Sequence, residues 1–378
     1  MSLTSDIREF ALDLGFSRVG ITTADSFEDH RAVMAARKDD YPFYFGAKRN
    51  YVDGIDPVNV LPGGKSIISL VYDYSQCAFP ENLLQHVARI YLARCYGPPE
   101  HRINGGRLKL FRDFLQARGL NISEDKILPE RRIGARSGAT SFGRNNFAYA
   151  DGIGSFIVLA SVIVDKELEY DEPDYAIKCP ENCRVCLRAC PTGAIEEPLR
   201  LNPRKCLAFN CWMTQAGRTP GVTDHIPVEI REKMGVKVHG CDICQQACPR
   251  NRARLKRQFE PDPFLELLAE DFSLTKLLSL SDKFFHTRVQ PIMYNYISDK
   301  KYFRRNAAIA LGNLGDPRYV PDLEQALENP EALVRGYAAW ALGRIGGAGA
   351  RRALEKARKK ETDPEASGEI VTALEQAQ

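Results

Sequence analysis

The chain has 378 residues, 44% of them hydrophobic, with 52 Lys and Arg against 49 Asp and Glu for a formal charge of +3. That length allows two or three domains with a sizeable core, and that hydrophobic content excludes a disordered protein. A charge so near neutral excludes a global basic field, so any nucleic-acid surface must be a local patch.

The opening Met1-Ser-Leu-Thr-Ser-Asp6 has no basic stretch followed by an apolar one, so no secretory leader is expected. No apolar run reaches the ~20 residues that span a bilayer. Residues 1–175 read as α/β. Ile7, Phe10, Ala11 and Leu14 mark one face of a helix that Gly15 ends, and Val19-Gly-Ile21 follows as a short strand. Ile67–Tyr72 and Phe156–Val164 are buried-strand candidates, and Leu108, Phe111 and Leu115 give a helix over about 106–118. Pro62-Gly-Gly-Lys-Ser66 ends like a phosphate-binding loop, but Asn59 stands where its first glycine belongs, so a turn is expected. Asn104-Gly-Gly106 reads as a helix start, with room for an anion there.

Thiols dominate the next stretch. Cys179-Pro-Glu-Asn-Cys183-Arg-Val-Cys186-Leu-Arg-Ala-Cys190-Pro191 and Cys241-Asp-Ile-Cys244-Gln-Gln-Ala-Cys248-Pro249 bracket a lone Cys206. Two C-x2-C-x3-C-P runs are the ligand pattern of a two-cluster ferredoxin, in which the fourth Cys of each run serves the other cluster. The pattern assigns Cys179, Cys183, Cys186 and Cys248 to one [4Fe–4S] cluster, and Cys190, Cys241 and Cys244 to the second. Cys206 completes the second set. The x3 gap between Cys179 and Cys183 requires a bulge if Cys179 is to reach iron. Zinc would need compact pairs and accounts for neither the Cys-Pro endings nor the crossing. Cys77, Cys95 and Cys211 are expected as buried thiols. Reduced thiols and clusters fit the cytoplasm. Arg250, Arg252, Arg254, Lys256 and Arg257 close the module as either a solvated face or a polyanion contact.

The tail repeats. Ala307-Ala-Ile-Ala-Leu-Gly-Asn-Leu-Gly315 matches Ala338-Ala-Trp-Ala-Leu-Gly-Arg-Ile-Gly346, and Ile370–Leu374 is a fading third copy. Helical, Ala/Leu-rich repeats of this length indicate stacked helix pairs of the HEAT type. Stacked in register, Lys300, Lys301, Arg304, Arg305, Arg335 and Arg344 would form a ridge for phosphates; the alternative is a set of capping helices. The expected fold is therefore mixed α and β: an α/β domain (1–175), a ferredoxin-like double-cluster module (176–258) and α-helical HEAT-like repeats (259–378).

Ala189–Ile195, Arg204-Lys-Cys206 and Met234–Gln246 carry a further likeness, supported by His101-Arg102, Arg107-Leu-Lys109, Leu61–Ile67, Gly143-Arg-Asn145 and Gly154-Ser155. On these residues and the domain order, the chain resembles the epoxyqueuosine reductase family over nearly its whole length and, more distantly, the reductive dehalogenases. The resemblance implies a base-off cobalamin between the first domain and the module, nearest the Cys206 cluster. It implies corrin contacts at Ala148, Leu159, Val162 and Ala208, and a proton-donating acid at Glu124 or Asp125. It also implies tRNA as substrate in queuosine biosynthesis, bound through the basic repeats, an external donor such as a ferredoxin or flavodoxin, and a monomer. None of the six histidines lies in a D-x-H-x-x-G pattern, as base-off binding without a protein imidazole requires. The chain departs from the family at Ala208–Met213, at Arg250 in place of Trp, and at Arg144 in place of Lys. These departures leave two alternatives. One is a corrinoid reductase of small molecules, with Tyr91, Tyr96 or Tyr149 as proton donor. The other is a non-catalytic electron carrier or corrinoid-reactivating protein.

Overall fold

The structure is a computed structural model that describes residues 2–45, 52–93, 103–123, 127–216, 221–293, 297 and 299–376. Helix α1 (Leu3–Asp13) starts where the Ser2 hydroxyl accepts the Ser5 N–H at 3.2 Å, a hydroxyl cap on an otherwise orphaned donor. After it come β1 (Arg18–Thr23), β2 (Ser66–Asp73), α2 (Ile103–Ala117), α3 (Glu130–Arg136), the hairpin β3 (Ser141–Phe142) and β4 (Ala148–Tyr149), and β5 (Ile157–Val164).

Strands β1, β2 and β5 form one sheet with β2 central, and both pairings are antiparallel. The expected mixture of α and β is present, and among the described residues the strands of this sheet pair without the parallel crossovers of repeated βαβ units. Strand alternation sorts the side chains. Ile68, Leu70, Val162 and Val164 meet Ile7 and Ala11 of α1 and Phe111 and Leu115 of α2. On the opposite face, Ile67 and Ile163 pack with Ile133 of α3, and Val71, Ile157 and Leu159 pack with Ala148. Pro62–Ser66 is the expected turn into β2, and Asn104–Gly106 lies inside the first turn of α2.

The thiol-rich module follows, built of short turns around helix α4 (Leu207–Trp212). The tail stacks α5 (Lys300–Leu314), α6 (Ala332–Ile345) and α7 (Pro364–Gln376) one upon the next. A Cβ on Gly312 would stand 2.8 Å from the Ala341 Cα, and one on Gly343 would stand 2.8 Å from the Ala373 Cα. The repeated glycine thus marks where successive helices touch backbone to backbone. One continuous core joins Val87 and Leu92, Leu207, Cys211 and Val238 of the module, and Phe303, Ala307 and Trp340 of the tail. The change of sequence character near residue 258 is therefore no gap in packing. Among the described residues no helix is long and apolar enough to cross a membrane.

Candidate iron–sulfur site

Three cysteines share one backbone conformation. Cys190, Cys206 and Cys248 have φ, ψ of −70°, 114°; −70°, 126°; and −71°, 124°. Pro191 and Pro249 favour this extended state in the residue before them. Cys206 and Cys248 each sit at the N-terminal edge of a helical turn, where free backbone N–H groups favour a thiolate. Cys190 accepts the Ala194 N–H at 3.3 Å. Burial pushes its thiol up, but the Thr192 hydroxyl and nearby backbone N–H groups outweigh burial and lower its pKa.

The thiols fall into two electrostatic neighbourhoods. Cys186 is raised first by burial and then by the negative charge of Cys248 and Cys179. Cys206 is raised by burial, opposed by the Phe209 and Ala208 N–H groups, and raised further by Cys190. Burial, followed by Cys206 and Cys211, pushes Cys241 up to about 12, and Cys244 is raised by burial and then by Cys241, Cys206 and Cys190. The first neighbourhood brings Cys248 from the second run to the first run's thiols. The second brings Cys190 and Cys206 to Cys241 and Cys244. Thiol sets that carry so many like charges at close range suit a cationic iron core that neutralises them. Among the described residues no three His, Cys, Asp or Glu converge on the position of a single metal ion, whereas ligands of a cubane stand further apart. The residue added between Cys179 and Cys183 is taken up by a turn in which the Cys183 N–H donates to the Pro180 carbonyl at 2.9 Å.

The module docks on the N-terminal domain through the residues around Gly154. Gln245 Nε2 donates to the Ser155 carbonyl at 2.9 Å and hydroxyl at 3.0 Å, and Asn251 Nδ2 donates to the same hydroxyl at 2.9 Å. Ser155 N–H donates to Asn251 Oδ1 at 2.9 Å. Gly154, at φ +89°, lets Asn251 approach so closely that a Cβ would collide with its side chain. Further along the contact, the buried Arg254 pairs with the buried Asp73 and donates to Ser75 Oγ at 2.8 Å. Tyr149 donates its hydroxyl proton to Cys248 Sγ at 3.2 Å, and the Arg250 guanidinium lies 4.1 Å from its ring centre.

The tail clamps the module from the other side. Arg305, fully buried, donates from Nη1 to the carbonyls of Thr214 at 2.6 Å and Asp224 at 3.0 Å, and from Nη2 to those of Asn210 and Cys211 at 3.4 Å. Asn306 Nδ2 reaches the carbonyls of Cys211 at 2.9 Å and Val238 at 2.8 Å. These groups serve the C-terminal end of α4, where helix carbonyls lack intrahelical partners.

Several expectations are corrected here. The six cations expected to form a ridge on the repeats each have a partner or are buried. Lys300 pairs with Asp282, Lys301 with Glu331, Arg335 with Glu361 and Arg344 with Glu232, while Arg304 donates to the Leu280 carbonyl and Arg305 is buried. Of the basic run after Cys248, Arg254 and Arg250 turn inward, leaving Arg252, Lys256 and Arg257 exposed. Arg250 donates to the Phe142 carbonyl at 3.1 Å and Ser141 Oγ at 3.0 Å, so it braces the β3–β4 hairpin. Leu159 and Val162 lie on opposite faces of β5, so one corrin cannot touch both, and Val162 is wholly buried against α1 and α2. Ala148 shares the module-facing side with Leu159, and Ala208 sits half-buried on α4, two residues after Cys206. The Tyr91 ring lies 4.2 Å from that of His239, tilted by 38°, and Tyr91 belongs to the core. Cys211 is buried as expected, and burial pushes its thiol up to about 12. Cys77 is half-buried, and Glu124, Asp125, Cys95 and Tyr96 lie outside the described residues. Sequence reasoning missed the roles of Asp73, Arg305 and Asn306; a charged pair Arg304-Arg305 within an apolar repeat was the available signal.

Crossed thiol sets held between a sheet domain and a helical-repeat tail define an iron–sulfur oxidoreductase. Residues 178–251 match the 4Fe-4S double cluster binding domain, and residues 293–375 match HEAT repeats. The chain is 31% identical to the epoxyqueuosine reductase of Bacillus subtilis, over 99% of this chain and 95% of that protein. It is 28% identical to the Escherichia coli enzyme over 90% of this chain and 89% of that one. A selenomethionine-labelled epoxyqueuosine reductase superposes with a TM-score of 0.83 at 29% identity, covering 100% of this chain and 99% of that one. Another, solved with an epoxyqueuosine-modified tRNA-Tyr stem loop, gives 0.82 at 28% identity over 99% and 98%. The chain belongs to the epoxyqueuosine reductase family.

Proposed function

We propose that this enzyme reduces epoxyqueuosine to queuosine in tRNA, with electrons passing through two [4Fe–4S] clusters to a bound cobalamin. The observation that carries the reading is the pair of crossed thiol neighbourhoods docked on the module-facing side of the sheet. The first cluster would be held by Cys179, Cys183, Cys186 and Cys248, and the second by Cys190, Cys206, Cys241 and Cys244. The tRNA complex of a relative supports tRNA as the substrate class. No relative's name favours the small-molecule or non-catalytic alternatives.

Residues on the module-facing side fit a cofactor with an apolar face and an amide rim. Ala148 and Leu159 supply apolar surface there, and the buried Thr140 hydroxyl, close beside Gly134 and Leu159, has no partner among the described residues. Cobalamin, when bound, would supply the low-potential nucleophilic metal that opens the epoxide. Glu124 or Asp125 would hold the proton for the leaving oxygen. Arg252, Lys256 and Arg257, exposed beside the module, are better candidates for phosphate contact than the paired cations of the repeats. We assign the catalytic domain to 1–175, the cluster module to 176–258 and the repeats to 259–378. The enzyme would act as a cytoplasmic monomer fed by a ferredoxin or flavodoxin.

The test is an anaerobic assay of the iron- and cobalamin-loaded protein with a strong reductant, on tRNA carrying epoxyqueuosine. Queuosine in the digested tRNA is the expected result, and its absence from fully loaded protein overturns the proposal. Full turnover by both Glu124→Gln and Asp125→Asn would move the acid elsewhere.

A further inference from the structure

The hydrogen bond between Tyr149 and Cys248 has a direction that can be worked out by counting protons. The Tyr149 phenol oxygen accepts from Asn145 Nδ2 at 2.9 Å, an amide group that only donates, so the phenol proton is not spent there. Its O–H lies 3.2 Å from Cys248 Sγ and donates to it. The Asn145 amide is itself oriented by the Phe147 N–H, which donates to its Oδ1 at 3.3 Å. The phenol is buried, and the Arg250 cation over the ring draws electron density from it and strengthens it as a donor.

We propose that Tyr149 raises the reduction potential of the cluster whose fourth ligand is Cys248. This rests on the ligand assignment given above. Reduction places an added negative charge on the cluster and its sulfurs, and a hydrogen bond to a ligand sulfur is stronger in the more negative state. The bond therefore stabilises the reduced form and raises the potential of one cluster alone. Tyr149 is a positioning residue in this role. The device also gives Arg250 a function, because its side chain is spent on Tyr149 and the β3–β4 hairpin.

The test is an EPR-monitored redox titration of the reconstituted protein and of Tyr149→Phe, with iron counted in both. Phenylalanine keeps the ring beneath Arg250 and removes the donor. The expected result is about eight irons in each protein and a more negative potential for one cluster in the variant. A tenfold change in its reduction equilibrium corresponds to about 59 mV for one electron. Two unshifted potentials at full iron overturn the proposal, whereas a wild type that takes up no iron overturns the ligand assignment instead. Asn145→Ala provides a second variant that leaves the phenol in place. It removes the amide donor that orients the phenol and loosens the proton's hold on sulfur, so the same cluster shifts the same way by less. An unshifted Asn145→Ala with full iron also counts against the proposal.

Discussion

Arg305 donates to the Thr214 carbonyl at 2.6 Å from a position with no solvent exposure, and this single side chain ties the repeat tail to the strand of chain that follows Cys206. Replacing Arg305 with Met removes the donor to the Thr214 and Asp224 carbonyls. We expect a loss of about 3 kcal/mol, read by chemical denaturation, together with faster loss of iron from the Cys206 cluster. Deleting the chain beyond residue 300 removes Arg305, Asn306 and the core around Phe303 at once. Such a truncation should fail to hold its clusters, and its inactivity would say nothing about tRNA binding.

The ligand assignment separates Cys206 from its neighbour Cys211. Cys206→Ala should lower iron from about eight to about four per chain, and Cys211→Ala should leave it at about eight. The contrast is sharp because Cys206 caps α4, Cys211 lies within it, and both are within electrostatic reach of Cys241. Equal iron loss in the two variants would show that Cys211 is a ligand.

The tail should lose stability in acid. The Arg335 guanidinium, 2.7 Å from Glu361, holds that carboxyl down at about 2, against an ordinary value of 4.5. A depressed folded-state pKa contributes stability that is fully present above the unfolded value and is lost as pH falls through the folded one. Helical signal should therefore become easier to melt as pH falls from 4.5 towards 2. Glu361→Gln should be less stable at neutral pH and show less of this dependence.

Two glycines in the tail should respond in opposite directions. Gly343→Val forces a side chain into the backbone of α7 near Ala373, and should cost about 1–3 kcal/mol or more. Gly368, inside α7, meets nothing within 4 Å of an added Cβ. Gly368→Ala should raise stability by about 0.5–1 kcal/mol through helix propensity alone. Thermal melting of the two variants checks both.

Local patterns were the most legible part of this chain. Apolar spacing over 7–14 marks α1, continuous apolar runs mark β2 and β5, and the repeat at 307–315 and 338–346 marks α5 and α6. Thiol spacing predicted a crossed assignment, and Cys248 of the second run lies within electrostatic reach of Cys186 of the first. What could not be read were the partners of charged side chains. Arg254 and Arg305 look like surface cations in a list of residues, and only tertiary contact with Asp73 or with the carbonyls after α4 turns them inward. The same limit applied to Leu159 and Val162. An apolar run buried on both faces carries no alternation to say which side chain looks toward the module. Arg250 stood out only as a departure from the family, and its place over the Tyr149 ring could not be read from the chain.

The shared core of Leu207, Val238, Phe303 and Trp340 has a further consequence. A tail joined by a linker could swing, and anything it carried would sample many distances from the metal centres. Here the repeats share one core with the block that holds the thiols, so tail and thiols are expected to move together. A nucleic acid gripped by any part of the tail would be presented at one fixed reach and one angle, and selection among substrates would then depend on the length and bend of what is gripped.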